Sequence, residues 1–486
     1  MKFILFILLF FILNGYCQSS PQNYITKRYL GRAIIENLES WNVRDCGVLI
    51  VHEGKVVFSD FLNSKRGKQF NSKTIFPLAS VGKHITSLAL KNELKIKNVS
   101  IDSLISNNIN EVYPVESDVT FRRLLNHNLG YYTHQGDFLL FDNDFTTEEI
   151  LTKSFNIEPN NKQKWGYFNI GYVIAGEIIE DISTLTYSKY INEKVFSPLS
   201  MNNTFTDYKR FNISNNKLNF YKRFEEQISE VRMPNTYKYA AAGGIYTNLD
   251  DMSKWVLYLL DDNSKALREY FEYDSIQDFK NLPLAQKATH PFHEVSDVYY
   301  NLGFRTQKYA SKTILYHSGG LPGLVTFLYI VPELDLGFFA VCNTDSPGFL
   351  KMLSYDILDH YLELPERNYL SRYKEFYLNY QRRILFEKDF VLSNANQEIL
   401  KKNAGKYYSD ICGLLELQEA NNTLFLTLEN YPSLKGELIS IKKDKMIFKL
   451  NSSFFKHAQI AINKEKLDIT FLRSDPNIYT FSRIKD

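Results

Sequence analysis

Residues 76–90 have the sequence FPLASVGKHITSLAL, in which a short apolar stretch leads into a helix-like run. Ser80 and Lys83 stand three residues apart at the start of that run, and residues with this spacing share one face of a helix. Nucleophilic acyl transfer needs a hydroxyl or thiol beside a base, which such a pair supplies. The stretch therefore predicts a strand-to-helix turn that carries a serine nucleophile.

The Ser-x-x-Lys pattern has little specificity by itself. The sequence contains it six times, beginning at Ser80, Ser214, Ser371, Ser440, Ser453 and Ser482. Only Ser80 follows a stretch typical of a buried strand-to-helix turn. The alternative at any of the six is an ordinary serine near a helix start with a solvated lysine.

Two further segments carry groups that suit the same chemistry. Tyr167 and Asn169 lie two residues apart just before an apolar helical run, where they can act as proton shuttle and amide donor, or simply begin a tyrosine-rich helix. His317 to Gly320 reads His-Ser-Gly-Gly after a strand-like run. Glycines there would let a substrate backbone lie against the strand, although an ordinary strand-end turn gives the same pattern.

Length and composition exclude several classes of protein. The chain has 486 residues, enough for two or three domains, with 44% hydrophobic and 23% charged residues, as in folded globular proteins. Lys+Arg 57 nearly balance Asp+Glu 55 without a long basic run, so no nucleic-acid partner is predicted. The sequence has no H-E-x-x-H or C-x-x-C motif, so no metal or other cofactor is predicted. Cys46 and Cys342 lie in apolar strand-like runs and are expected to be small buried hydrophobes.

The first residues predict the compartment. Lys2 precedes an apolar run over 3–13, and small residues precede a cut after Cys17, which is the pattern of a cleaved signal peptide at 1–17. The run is shorter than the roughly 20 apolar residues of a membrane span. We therefore expect a secreted or periplasmic protein with no stable membrane span after cleavage. A lipoprotein anchor on Cys17 is the alternative, to which the bulky Tyr16 is a poor fit.

Strand-like runs at both ends of a helical region predict an α/β (α+β) fold. It would contain one mixed antiparallel sheet flanked by helices, with a helical insertion. The strand candidates are 46–52, 56–62, 313–316, 326–331 and 336–342, and the helical candidates are 24–42, 79–199, 250–260 and 350–362. Beyond residue 394, short alternating runs predict a small all-β, barrel-like domain.

The predicted organisation therefore has four parts. They are a signal peptide at 1–17, a first domain at 24–364, a linker at 365–393 and the all-β domain at 394–486. Few apolar runs bridge the two domains in the sequence, so the end domain is expected to fold separately.

The three segments, taken together and in order, resemble the serine β-lactamase and penicillin-binding-protein superfamily, in its class C β-lactamase-like branch. The resemblance covers about Val48 to Leu362. Three further blocks fit it, namely LLNHNLG at 124–130, PLSMNNT at 198–204 and AGGIYTNLDDM at 242–252. The end domain, beginning with LKKNAGKYY at 400–408, is similar to the lipocalin-like domain appended to some of these hydrolases.

The resemblance implies roles for the motif residues. Ser80 is the nucleophile, Lys83 helps to take its proton, and Tyr167 acts as base and then as acid to the leaving group. Asn169 donates to the substrate amide or to Lys83. Backbone N–H groups of Ser80 and Gly320 form the oxyanion hole.

His317 and Gly319, with Ser318 between them, occupy the substrate-binding position where many members have Lys-Thr-Gly. An imidazole with its ordinary pKa of about 6.5 is neutral for much of the time near pH 7. The resemblance therefore favours esters or amides over β-lactams, and anionic substrates should bind better as pH falls through that range.

The predicted function is that of a secreted serine hydrolase acting through a Ser80 acyl-enzyme on an ester or peptide bond. The substrate is a small molecule or a peptide, including peptides derived from peptidoglycan. Esterase, D-aminopeptidase, D,D-carboxypeptidase-like and weak β-lactamase activities all use that intermediate. The alternative is a catalytically retired penicillin-binding-protein-like module that binds cell-wall peptide or another ligand.

Overall fold

A computed structural model describes most of the chain. The described residues are 34–41, 43–64, 69–109, 113–159, 165–224, 227–262, 266–267, 296–345, 347–385, 397–442, 445–463, 465–471 and 475–484. The predicted signal peptide at 1–17 lies outside them, as does most of the predicted helix at 24–42, of which 34–38 is helical. Among the helices in these ranges, none combines the length and hydropathy needed to cross a bilayer.

The strands of the first domain account for its sheet and two small ribbons. They are β1 (Asp45–His52), β2 (Lys55–Asn63), β3 (Phe76–Pro77), β4 (Phe220–Phe224), β5 (Gln227–Val231), β6 (Tyr246–Thr247), β7 (Ser296–Asn301), β8 (Phe304–Tyr309), β9 (Lys312–Leu321), β10 (Leu324–Val331) and β11 (Leu336–Cys342).

Seven of these strands form one antiparallel sheet in the order β2-β1-β11-β10-β9-β8-β7. β1 pairs with β11, so the early strands meet the late ones inside the sheet, as the sequence predicts. β9 is longer than the predicted 313–316 because its backbone pairing with β10 continues to Gly320 opposite Val325. The predicted fold class, an antiparallel sheet flanked by helices with a helical insertion, is confirmed.

The helices pack on both faces of the sheet and form the insertion. They are α1 (Lys83–Ile96), α2 (Phe121–Leu125), α3 (Thr147–Ser154), α4 (Asn169–Ser183), α5 (Tyr187–Ile191), α6 (Tyr208–Ile213), α7 (Ala240–Gly243), α8 (Leu249–Leu260), α9 (Pro347–Tyr361), α10 (Tyr369–Leu385) and α11 (Gln397–Asn403). Short 3-10 turns include Ala79–Gly82 and Asp137–Leu139.

Alternation along the central strands divides the core between the two faces of the sheet, since successive side chains of a strand point to opposite sides. Val48 and Ile50 of β1 belong to the apolar cluster under α9, which also includes Leu353. Leu49 of β1 joins the larger cluster on the opposite face. Cys46 and Cys342 are buried free thiols, as predicted.

The end of the chain forms a closed eight-stranded barrel, which confirms the predicted barrel-like fold. Its strands are β12 (Gly405–Ser409), β13 (Gly413–Ala420), β14 (Thr423–Leu428), β15 (Lys435–Lys442), β16 (Lys445–Leu450), β17 (His457–Asn463), β18 (Lys466–Phe471) and β19 (Asp475–Arg483). The first and last strands close it by pairing Tyr407 with Arg483. Alternate residues such as Leu417, Phe448 and Ile469 fill the interior.

The barrel packs against the first domain through aromatic rings that the apolar runs of the sequence did not indicate. Phe138 stacks on Tyr431 and Phe471 of the barrel, with ring centroids 4.2 and 3.8 Å apart. Phe141 stacks on Phe454 at 4.1 Å. Phe138 and Phe141 lie in and just after a short 3-10 turn, where no helical or strand period marks them as a packing face. The predicted domain boundaries stay predictions.

Candidate active site

Ser80 lies on the 3-10 turn between β3 and α1, which agrees with the predicted strand-to-helix turn. The preceding residue, Ala79, has φ 50°, in the left-handed region that residues other than glycine rarely adopt. Two hydrogen bonds of the preceding residue, Leu78, help to hold this conformation. Leu78 N donates to Ile245 O at 2.8 Å, and its carbonyl accepts from Thr326 Oγ1 at 2.8 Å. Backbone strain kept in place by its surroundings is often associated with functional sites.

Lys83 lies directly beneath the serine. Its Nζ is 3.0 Å from Ser80 Oγ and donates to the carbonyl of Ala242 at 2.5 Å. The side chain is fully buried, with its ammonium group 5.1 Å from the ring centre of Tyr167. Burial lowers the pKa of Lys83 to about 7, although the Asp137 carboxylate acts in the opposite direction. A substantial fraction of Lys83 is therefore neutral near pH 7 and able to accept a proton.

Tyr167 forms part of the wall beside these two residues. Its hydroxyl is buried. Burial raises the pKa of Tyr167 well above its usual value, although a hydrogen bond with Ser80 acts in the opposite direction, so the phenol carries its proton at neutral pH. A buried, protonated hydroxyl suits a group that gives a proton to substrate better than one that removes a proton first.

Asn169 begins α4, and its amide is bound to a carboxylate that the sequence motifs did not include. Its Nδ2 lies 3.0 Å from both carboxylate oxygens of Asp137. Asp137 also accepts from Nδ1 of His134 at 2.8 Å. A carboxylate cannot donate, so this contact fixes which end of the Asn169 amide faces Asp137 and turns Oδ1 away from it. The donor that was expected to reach the substrate or Lys83 is therefore directed at Asp137.

Strand β9 forms the opposite wall. A Cβ on Gly319 would lie 2.3 Å from Thr326 Oγ1 and 2.7 Å from Leu78 O, so only glycine lets this strand approach the nucleophile turn so closely. A Cβ on Gly320 would meet open space on the pocket side. This arrangement leaves room for a substrate carbonyl beside the backbone of Gly320 and Ser80.

The surroundings of His317 do not fit the expectation that it titrates near pH 6.5. The side chain is only 2% exposed. Its Nδ1 donates to Ser318 O at 2.7 Å, and its Nε2 accepts from the Tyr300 hydroxyl at 3.2 Å. Burial, with the nearby Arg305 and Lys83 cations, lowers the pKa of His317 well below 6.5. The imidazole is therefore neutral through the ordinary assay range and supplies no charge to a substrate carboxylate.

Arg305 supplies the positive charge that His317 does not. It lies on β8, pairs in register with Tyr316 of β9 and lines the same pocket as Ser80. Its guanidinium carbon is about 6 Å from the ring centres of Trp165, Tyr167 and Tyr300. No ion pair to Arg305 occurs within the described part of the chain. A guanidinium without a carboxylate partner at a pocket wall is suited to an anionic group of a ligand.

The pocket has a volume of about 440 Å³, and the barrel forms part of its wall. Its lining brings together the predicted Ser80, Tyr167, Asn169, His317 and Gly320. Lys83 lies behind Ser80, and Gly319 lines an adjoining cleft on the other side of β9. Residues missed at the sequence level are Asp137, His134, Arg305, Phe454 and Phe455, all of which line the pocket. Of these, Arg305 lies opposite Tyr316 in the pairing of β8 with β9, so extending the predicted strand at 313–316 into a hairpin would have indicated it.

Comparison with known families and curated proteins shows what the chain is similar to. The family model described as Beta-lactamase matches residues 32–362. Protein flp of Staphylococcus aureus is 21% identical over 380 residues, which cover 72% of this chain and 70% of that protein.

Two solved structures with the same fold cover different shares of this chain. The octameric penicillin-binding protein homologue from Pyrococcus abyssi covers 93% of this chain and 99% of its own, with 20% identity and a TM-score of 0.57. The D-amino acid amidase from Ochrobactrum anthropi SV3 covers 69% of this chain and 98% of its own, with 19% identity and a TM-score of 0.52. The first likeness therefore extends over the barrel, whereas the second leaves about a third of this chain unmatched.

Proposed function

The chain belongs to the beta-lactamase family and has the fold of a β-lactamase-type hydrolase, and on that premise we propose that it cleaves an amide or ester bond through an acyl-enzyme on Ser80. The observation that carries the proposal is the contact of 3.0 Å between Lys83 Nζ and Ser80 Oγ. It supplies a nucleophile and a buried amine that can accept its proton, as acyl transfer requires.

The reaction begins when neutral Lys83 takes the hydroxyl proton of Ser80 as Oγ attacks the substrate carbonyl carbon. The oxyanion is stabilised by the backbone N–H groups of Ser80 and Gly320. The bond from carbon to the leaving nitrogen or oxygen then breaks, and Tyr167 gives its proton to the leaving group and recovers one from Lys83. Water cleaves the ester on Ser80 by the same steps in reverse order, releasing the acid and restoring the hydroxyl.

Arg305 narrows the proposed substrate class to amides or esters that carry a carboxylate near the scissile bond. A guanidinium can bind a carboxylate through two parallel hydrogen bonds and stays charged over the whole assay range. His317 was the reason to expect esters or amides rather than β-lactams, and Arg305 removes the need for a charge at that position. Short peptides with a free carboxyl terminus, including peptidoglycan stem peptides, fit this class.

The names of two similar solved structures suggest which neutral substrates to compare. One is a D-amino acid amidase and another is described as a D-stereospecific amidohydrolase, which resembles this chain with 17% identity and a TM-score of 0.51. The substrate panel should therefore contain a D-amino acid amide, a short ester, a D,D-dipeptide with a free carboxylate and a cephalosporin. We also propose that the mature chain acts outside the cytoplasm, as its N-terminal sequence predicts.

The test is covalent labelling with a fluorophosphonate, followed by intact mass and peptide mapping. We expect one adduct on the Ser80 peptide, none in Ser80→Ala and an undiminished one in Ser371→Ala. Ser371 is a matched control because it also begins a Ser-x-x-Lys match but lies exposed on α10. Labelling that persists in Ser80→Ala would contradict the nucleophile assignment. A wild-type chain that is neither labelled nor active on the panel would favour the binding module instead.

A further inference from the structure

A carboxylate of the barrel is directed at the catalytic domain. Asp475, the first residue of β19, is 1% exposed. Its Oδ1 accepts from the backbone N–H of Gly136 at 3.1 Å, and its Oδ2 accepts from the N–H of Phe138 at 2.9 Å. Asn477 N and the Tyr479 hydroxyl, both from β19, donate to the same carboxylate at 2.9 and 2.7 Å.

These hydrogen bonds lie on either side of Asp137, the residue of the turn that contacts Asn169. Asp137 lies between the two N–H groups that Asp475 binds, so the barrel fixes the backbone on both sides of it. Gly136 has φ +82°, and a Cβ there would lie 2.7 Å from Ile170 Cδ1. The turn is therefore packed against the start of α4, where Asn169 precedes Ile170.

Asp137 connects this turn to the active site. Its carboxylate holds Asn169 Nδ2 through two contacts of 3.0 Å. It is also the group that opposes the lowering of the Lys83 pKa. A displacement of Asp137 would therefore alter both the orientation of the Asn169 amide and the electrostatic surroundings of Lys83.

The contacts of Asp475 require a carboxylate, and a neutral side chain could not replace it. All four donors named above are uncharged, and burial, together with the neighbouring Asp137 carboxylate, raises the pKa of Asp475 to about 6. Burying a carboxylate whose hydrogen-bond donors are all neutral is costly. The two N–H groups of the turn bind different oxygens of Asp475, so an asparagine would direct its NH₂ group, which is a donor, at one of them.

We propose that Asp475 of the barrel is a positioning residue for the reaction at Ser80, acting through the 136–138 turn and Asp137 on Asn169. The inference rests on the proposed function, since it concerns the same pocket and the same acyl-enzyme. It assigns the barrel a direct part in catalytic geometry, in addition to its part in the pocket wall.

The test is a double-mutant cycle in the full chain, with hydrolysis of the best amide of the panel as readout. Asp475→Asn should lower kcat/KM about tenfold, and Asn169→Ala should lower it at least as much. The double variant should be no more than about twofold worse than Asn169→Ala, because both changes remove one chain of contacts. Asp468→Asn is the matched control, since that barrel carboxylate accepts from Thr480 and should leave kcat/KM within about twofold.

A second variant keeps the test decisive if Asp475→Asn fails to fold. Tyr479→Phe removes one donor from Asp475 without emptying the barrel core, and it should lower kcat/KM by about twofold to fivefold, again not additively with Asn169→Ala. Additive losses, or no loss in either variant, would overturn the inference. Fluorophosphonate labelling separates the two proposals. Additive losses in a chain labelled at Ser80 overturn only the role of Asp475, whereas an unlabelled wild type overturns the proposed function and this inference with it.

Discussion

The two sides of the catalytic pocket are built from different kinds of groups. The helical side carries Ser80, Lys83 and Asn169, whose polar atoms are held by short-range contacts and by Asp137. The opposite side, formed by β8, β9 and the barrel, carries Arg305 and the aromatic ring of Phe454. The first side is arranged to move protons, and the second to select what lies next to them. The difference predicts that substitutions on the helical side affect all substrates, whereas those on the opposite side change preference.

Replacing the proton-transfer groups on the helical side should have the largest effect. Lys83→Ala should lower kcat by about 10³-fold and Tyr167→Phe by about 10²-fold, for neutral and anionic substrates alike, because each group moves a proton in the transition state. Single-turnover kinetics on an ester and on a dipeptide would measure this. A loss confined to one substrate class would contradict the division between the two sides.

The aromatic contact between the first domain and the barrel should contribute mainly to the stability of the fold. Phe138→Ala removes a ring stacked on Tyr431 and Phe471, and such a loss costs about 3–5 kcal/mol of unfolding free energy. Denaturant unfolding followed by far-UV circular dichroism, which reports on both domains, would measure it. The control is Phe376→Ala, at an exposed position, which is expected to change stability by less than about 0.5 kcal/mol. If the barrel folds separately, Phe138→Ala should split unfolding into two transitions and leave the barrel's transition unmoved.

Arg305, on the opposite side, should determine the preference for substrates that carry a carboxylate. Arg305→Gln should lower kcat/KM about 10- to 100-fold for the D,D-dipeptide, since a hydrogen bond to a charged group contributes about 1.5–3 kcal/mol. The D-amino acid amide, which lacks a carboxylate, should change less than about threefold. Arg372→Gln, on an exposed face of α10, is a control with the same change of charge. Equal losses on both substrates would give Arg305 a structural role only.

The smallest expected effect is on the pH dependence of substrate preference, and it distinguishes two histidines. The His134 ring is near Asp137, Lys83 and Asp475. Burial lowers the pKa of His134, but the two carboxylates outweigh burial, so the pKa is raised above 6.5. His134 is thus charged below that pKa and neutral above it. The ratio of kcat/KM for dipeptide over ester should fall severalfold as pH rises through it.

His134→Gln should flatten this ratio, and His317→Gln should leave its pH dependence unchanged because His317 is already neutral. Rate profiles between pH 5.5 and 9 on the two substrates would show which histidine is responsible. A ratio that loses its pH dependence only in His317→Gln would restore the role that the sequence first suggested for that residue.

What the sequence could predict about the site depends on whether a residue lies in a local pattern or is placed by tertiary packing. Ser80, Lys83, Tyr167 and Asn169 could be found because each lies in a local pattern next to a helix start, and local patterns survive in a single sequence. Asp137 and Phe454 could not, because their positions depend on packing between segments more than 300 residues apart. His317 was found but misjudged, since its burial under Tyr300 is a tertiary property that its neighbours in sequence do not reveal. The fold class was predictable because strand and helix periods are also local.

The separation of Asp475 from the nucleophile turn along the sequence has a consequence for the order in which the site is made. Synthesis produces Ser80 and Lys83 well before β19, and β19 both closes the barrel on β12 and binds the turn around Asp137. On the role proposed for Asp475, a chain cut short before β19 would carry the nucleophile and its lysine without the contacts that orient Asn169.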